Sequence, residues 1–184
     1  MQKIHLFGGS KMKASYFFLL LFTCNLYAQE GKLIENPIRK IPRWVRKVFV
    51  DQGLNQRYAI TYQLYPPYLH GDFNNDGRKD AAILVKENSN GKLGIAIFHG
   101  KKTQALRYQV SILGAGQSFG SAGDDFKWMS LWNFVKQGKI TNELGKRSLP
   151  SLNGDIIVLQ KQNDGNGFIY WDGKNYEWRE PKKK

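Results

Sequence analysis

Two hydrophobic periods divide the chain. From Pro42 to Gln52, the apolar residues Trp44, Val45, Val48 and Phe49 fall on one side of a 3.6-residue repeat, with Arg43, Arg46 and Lys47 on the other. Pro42 stands at the first turn and Gly53 just past the last, so the spacing predicts one basic amphipathic helix. After it the period shortens to that of strands: Tyr58–Leu64, Ala81–Lys86, Gly94–His99, Arg107–Leu113, Asp155–Gln160, Gly167–Trp171 and Tyr176–Trp178. Each run is rich in β-branched or aromatic residues and bounded by Gly, Asn, Asp or Pro. Asn90-Gly91 and Asp172-Gly173 are the best hairpin turns, because both dipeptides tolerate the positive φ of a type I′ turn. The expected class is α+β, mainly β: a short antiparallel meander sheet with one N-terminal amphipathic helix, which packs its Trp and Phe on the sheet and leaves its bases in water.

The first residues follow neither period. Lys11-Met12-Lys13 precede the apolar run Ala14–Phe22, which closes at Asn25-Leu26-Tyr27-Ala28 before Gln29-Glu30. A basic segment, a short apolar stretch and a small residue at the end describe a signal peptide, 1–28, cut after Ala28, with Met12 as the simplest true start. The apolar run falls well short of the roughly 20 residues that cross a bilayer, so no transmembrane helix is expected. Leu21-Phe22-Thr23-Cys24 has Thr where a lipobox wants Gly, Ala or Ser, which favours soluble export, periplasmic or secreted, over a lipoprotein anchored through Cys24. The leader resembles those of exported bacterial proteins.

Composition narrows the class. Removing the leader leaves one globular domain, 29–180, and a basic tail, 181–184. Cys24 is the one cysteine, so the processed protein has no disulfide and no cysteine-based metal or thiol site. The net charge of +13, less the leader's Lys3, Lys11 and Lys13, leaves +10. That field suits polyanions or acidic glycans. The bases are spread along the chain without a recognised nucleic-acid reader motif, so nucleic acid is not the expected partner.

The most specific chemistry lies between Gly71 and the strand at Ala81. In Asp72-Phe73-Asn74-Asn75-Asp76-Gly77-Arg78-Lys79-Asp80, oxygen-bearing side chains recur at positions 1, 3, 5 and 9, with glycine at position 6 where the loop must turn sharply. Calcium is a hard ion that takes six to eight oxygens. Asp72, Asn74, Asp76 and Asp80 would supply side chains, and Arg78 its backbone carbonyl. An EF-hand would add a bidentate Glu at position 12, but Ile83 stands there and a strand follows, which excludes a helix-loop-helix sensor. So few charged ligands imply weak affinity, about 10⁻⁴–10⁻³ M. The competing account is a metal-free turn, since Asp, Asn and Gly favour turns without any ion.

Gly71-Asp72-Phe73-Asn74-Asn75-Asp76-Gly77-Arg78-Lys79-Asp80-Ala81-Ala82-Ile83-Leu84 resembles the core of FG-GAP or VCBS repeats. The resemblance implies calcium at this loop and a β-rich setting of the kind found in secreted adhesion and binding proteins. It does not imply a full propeller, which needs several such blades, whereas this chain has one loop. As a whole the chain also looks like exported bacterial proteins that carry this loop and an aromatic C-terminal hairpin.

No catalytic constellation stands out. His70 and His99 are the histidines beyond the leader, and no nucleophile motif accompanies them. The glycine-rich segment Gly114–Gly120 fits neither a dinucleotide fingerprint nor a P-loop. Next to it, Phe119, Asp124, Asp125, Trp128 and Trp132 form the candidate contact region for a ligand. The expected function is a non-enzymatic exported domain with a structural calcium loop that binds a macromolecule, polyanionic or glycan. Two alternatives remain open: a hydrolase on an envelope or extracellular polymer with Asp124 or Asp125 as acid/base, and a periplasmic inhibitor or immunity-type protein with an acidic partner.

Overall fold

The amphipathic pattern becomes helix α1, Arg43–Asp51, with Pro42 as its N-cap and Val45, Val48 and Phe49 buried. In this computed structural model the described residues are 36–100, 108–137, 153–161 and 166–180. The leader, the beginning of the strand expected at Arg107, residues 138–152 and the basic tail lie outside them. All described residues belong to one compact unit, Glu35–Lys184. Gly53, at φ 72°, takes the left-handed conformation that ends α1, and the chain then makes one further turn, α2, Leu54–Arg57.

The strands form two antiparallel sheets. Sheet A contains β1 (Tyr58–Ile60), β2 (Tyr68–Gly71), β3 (Asp80–Glu87), β4 (Leu93–Phe98) and β5 (Val110–Gly114), in the order β1-β3-β4-β5. Strand β2 shares the outer edge of β3 with β1: Tyr58–Ile60 lie opposite Val85–Glu87, and Tyr68–Gly71 opposite Asp80–Ile83. Sheet B is a plain meander of β6 (Met129–Val135), β7 (Asn153–Lys161), β8 (Asn166–Trp171) and β9 (Tyr176–Arg179). The class is α+β and mainly β, and the sheets do not close into a barrel or propeller. Among the described residues no helix is long and apolar enough to cross a membrane.

The central strands of sheet A, β3 and β4, are buried on both faces, which explains why Ala81-Ala82-Ile83-Leu84-Val85 is continuously apolar rather than alternating. Ala81, Ile83, Val85, Ala96 and Phe98 face α1 and pack with Ile41, Val45, Val48 and Phe49. Ala82, Leu84, Ile95 and Ile97 face the other way and pack with Trp132, Ile157, Leu159 and Ile169 of sheet B. The order of layers is therefore helix, sheet A, sheet B.

Both hairpin turns stand where Asn-Gly and Asp-Gly place them. Gly91 has φ 69° between β3 and β4, and Asp172 accepts the amides of Lys174 and Asn175 between β8 and β9. Two strands were not legible. Strand β2 is four residues long and follows Pro66-Pro67, and β6 hides behind its own bulge at Met129/Leu131. The expected single sheet is accordingly two.

Trp132 is not a ligand contact. Its side chain is 1% exposed, lies in the core between the sheets and donates its indole N–H to the Pro66 carbonyl at 2.9 Å. Trp132→Ala is expected to cost about 3–5 kcal/mol, read as a lowered midpoint in urea unfolding, through the cavity it leaves and the orphaned carbonyl.

Candidate metal centre

The loop between β2 and β3 is wound around its own side chains. The Asp72 carboxylate accepts the amides of Asp76 at 3.0 Å and Gly77 at 2.9 Å. Asn74 Oδ1 accepts the Asp76 amide at 3.2 Å, and Asp76 Oδ1 accepts that of Arg78 at 2.9 Å. Winding this tight requires left-handed backbone at Asn75, φ 59°, and Gly77, φ 79°, residue types that tolerate it. Gly77 therefore occupies the sharp turn for the reason its position suggested.

Asp80, the first residue of β3, is 1% exposed. Its two oxygens accept the Phe73 amide at 2.9 Å and the Gly100 amide at 2.8 Å, tying the start of the loop and the end of β4 to one carboxyl. Burial, above all, pushes that carboxyl up to about 6; the two amides oppose the shift, and the charges of Asp76 and Asp72 add to it. The same three carboxylates, after burial, raise Tyr176 of β9. The acids thus share one electrostatic neighbourhood. Arg78 is a cation that meets them, 3.6 Å from Asp76.

The donor set suits a hard cation. Each side-chain oxygen that accepts one N–H keeps a second lone pair, so the turn and metal ligation are compatible. Asp72, Asn74, Asp76 and Asp80 would bind through side chains and Arg78 through its carbonyl. Among the described residues no three acidic, imidazole or thiol groups are drawn together into a ready cage. The oxygens of Asp72, Asp76 and Asp80 are directed to backbone amides.

Sheet B grips this loop at two points that sequence reasoning missed. At the first, Asp155 of β7 accepts the Asp72 amide at 3.0 Å, and its own amide donates to the Asp72 carbonyl at 2.7 Å. Gly154, at φ 90°, lies so close that a Cβ there would stand 2.6 Å from the Asp72 carbonyl oxygen. At the second, Asn74 Nδ2 lies 2.6 Å from Nδ1 of His99, whose Nε2 is 3.3 Å from the Tyr176 hydroxyl. Burial lowers the His99 pKa, against the field of Asp76, which favours a neutral ring. These partners lie 83, 25 and 77 residues apart in the chain. No local pattern pairs them; the Gly-Asp pair before an apolar run was the nearest hint.

The glycine-rich region is built differently from the expectation. The Asp124 carboxylate pairs with Lys92. Asp125 accepts the Leu93 amide at 2.9 Å and the Lys127 amide at 3.2 Å, and pairs with the Lys127 ammonium at 3.2 Å. Both carboxylates tie the segment to the start of β4. Burial alone would push the Asp125 carboxyl up, but the Leu93 amide and the side chain and amide of Lys127 outweigh it, and its pKa falls below the usual value. That is the wrong direction for a general acid. Phe119 and Trp128 are half-buried against Phe126, and Trp128 meets Trp178 edge to face at 5.6 Å with the Lys161 ammonium 5.2 Å from its ring. His70 is exposed beside Tyr68 and Phe134 and belongs to neither site.

Because the Asp125 pKa is depressed on folding, its stabilisation is present above the unfolded value and is lost as the pH falls through the folded one. Asp125→Asn is expected to cost about 1–2 kcal/mol at pH 7, with the gap to wild type closing below about pH 4 in urea titrations. A gap that is independent of pH would show that the charge plays no part. In comparisons with known proteins no family model matches the chain, and no curated protein or solved structure matches it.

Proposed function

We propose that this chain is a non-enzymatic domain of an exported protein whose Asp72–Asp80 loop takes one structural calcium ion, fastening sheets A and B into a platform that binds a macromolecule. The observation that carries the proposal is the buried Asp80 carboxyl, sharing its surroundings with Asp72 and Asp76. Burying a carboxylate among like charges costs free energy that the Phe73 and Gly100 amides offset in part, and a divalent oxygen-seeking ion would offset more through the donors in register. The leader pattern supports export, where calcium is abundant enough for a weak site. The resemblance of Gly71–Leu84 to FG-GAP or VCBS loops supports the choice of ion.

The non-enzymatic part rests on how the candidate groups are used. Asp124 and Asp125 are bound to Lys92, Leu93 and Lys127, and His99 is enclosed between Asn74 and Tyr176. The contact surface is assigned to Phe119 and Trp128 together with Trp178 and Lys161. An aromatic edge-to-face pair with an ammonium beside it suits a glycan that carries anionic groups.

Calcium is expected to raise the melting temperature of the protein. At 100 times the dissociation constant the linkage is about 2.7 kcal/mol, or roughly 5–10 °C for a domain of this size. EDTA should reverse the shift, and Asp76→Ala and Asp72→Asn should abolish it. A wild-type melting curve unmoved by 10 mM calcium, about ten times the upper end of the expected range, would overturn the calcium assignment.

A further inference from the structure

Asn74 stands at the third ligand position of the loop and is an amide rather than an acid. An amide must present its oxygen to a cation and find a partner for its nitrogen. Different parts of the fold engage the two atoms here. Oδ1 accepts the Asp76 amide at 3.2 Å within the loop, which leaves Nδ2 to face Nδ1 of His99 at 2.6 Å. The Asn74 nitrogen can only donate, so Nδ1 of His99 must accept and the ring proton must sit on Nε2. Nε2–H then donates to the Tyr176 hydroxyl at 3.3 Å. The two ends of the chain of contacts fix the amide orientation and the imidazole tautomer together.

The imidazole is itself held by the second sheet. His99 directly follows β4, 3% exposed, and its ring meets Trp171 at 5.9 Å and Tyr176 at 5.7 Å, both edge to face. Trp171 and Tyr176 come from β8 and β9 of sheet B, and they meet one another at 4.9 Å. Its backbone N–H donates to Gln109 across sheet A at 3.0 Å. A ring enclosed in this way has little freedom to turn, and Asn74 inherits that rigidity through one hydrogen bond.

Resting on the calcium reading above, we propose that His99, braced by Tyr176, is the positioning residue that aims the Asn74 oxygen into the loop, so that calcium binding depends on the docking of sheet B. Partners behind a metal ligand typically change affinity by 10–100-fold when removed. Asp155 supplies a parallel support at the first ligand position by bonding the backbone of Asp72 on both sides.

The test is calorimetric calcium titration of the full chain in four forms: wild type, His99→Ala, His99→Gln and Tyr176→Phe. His99→Ala is expected to weaken binding about tenfold, and Tyr176→Phe, which keeps the ring and removes only the hydroxyl, by a smaller factor. His99→Gln can offer an oxygen to Asn74 and an N–H to Tyr176, so it is expected to restore most of the affinity. Nitrogen NMR of the metal-free wild type should show His99 protonated on Nε2 alone. Should His99→Ala fail to fold, Tyr176→Phe and the tautomer decide the matter. Wild-type affinity in Tyr176→Phe and His99→Ala, or a proton on Nδ1, overturns the positioning role and leaves the calcium site standing. Absence of calcium binding by the wild type overturns both.

Discussion

The central strands of sheet A, β3 and β4, are covered on both faces, and much else in the molecule follows from that constraint. A strand with no wet face must satisfy every polar group at its ends from within the protein. The buried polar side chains among the described residues stand at those ends: Asp80 opens β3, Glu87 closes it at 6% exposure, and His99 follows β4. Each ties separate segments together. Asp80 holds the loop and the end of β4, Glu87 holds Arg57 and Asn90, and His99 holds Asn74 and Tyr176. The candidate calcium loop is thus one of several strand-end solutions, and the one in which negative charge accumulates.

How much of this the sequence disclosed follows from the range of the interactions. The helix was legible because its cap, its apolar face and Gly53 lie within a dozen residues of one another. The hairpins and the winding of the loop were legible for the same reason, since Asp72 bonds residues four and five positions ahead. Strand β6 was missed because Trp132 and Phe134 look the same in sequence whether they line a core or a ligand surface. Only the packing of sheet B against sheet A decides for Trp132. The division into two sheets escaped notice because strand patterns record which residues are apolar, and not which sheet covers them.

The candidate contact region illustrates a second limit. Asp124 and Asp125 next to aromatics have the composition of a sugar-handling site, yet their oxygens are directed at Lys92, Leu93 and Lys127. Adjacent carboxylates near a glycine-rich turn also serve to cap and fasten it, and composition does not separate the two uses. The loop at Asp72 differs because spacing, rather than composition, carries its chemistry.

The outer edge of β3 has one more consequence. It is shared by β1, three residues long, and β2, four residues long, with Pro66 and Pro67 in the segment between them. Long, flat edge strands recruit strands from neighbouring molecules, because their unpaired amides form a template. Here the template is cut into two short pieces, and the segment between them ends in two prolines, which cannot donate a backbone hydrogen bond. A sheet whose centre is among the most apolar stretches of the chain is in this way protected along that edge from pairing with other copies of itself.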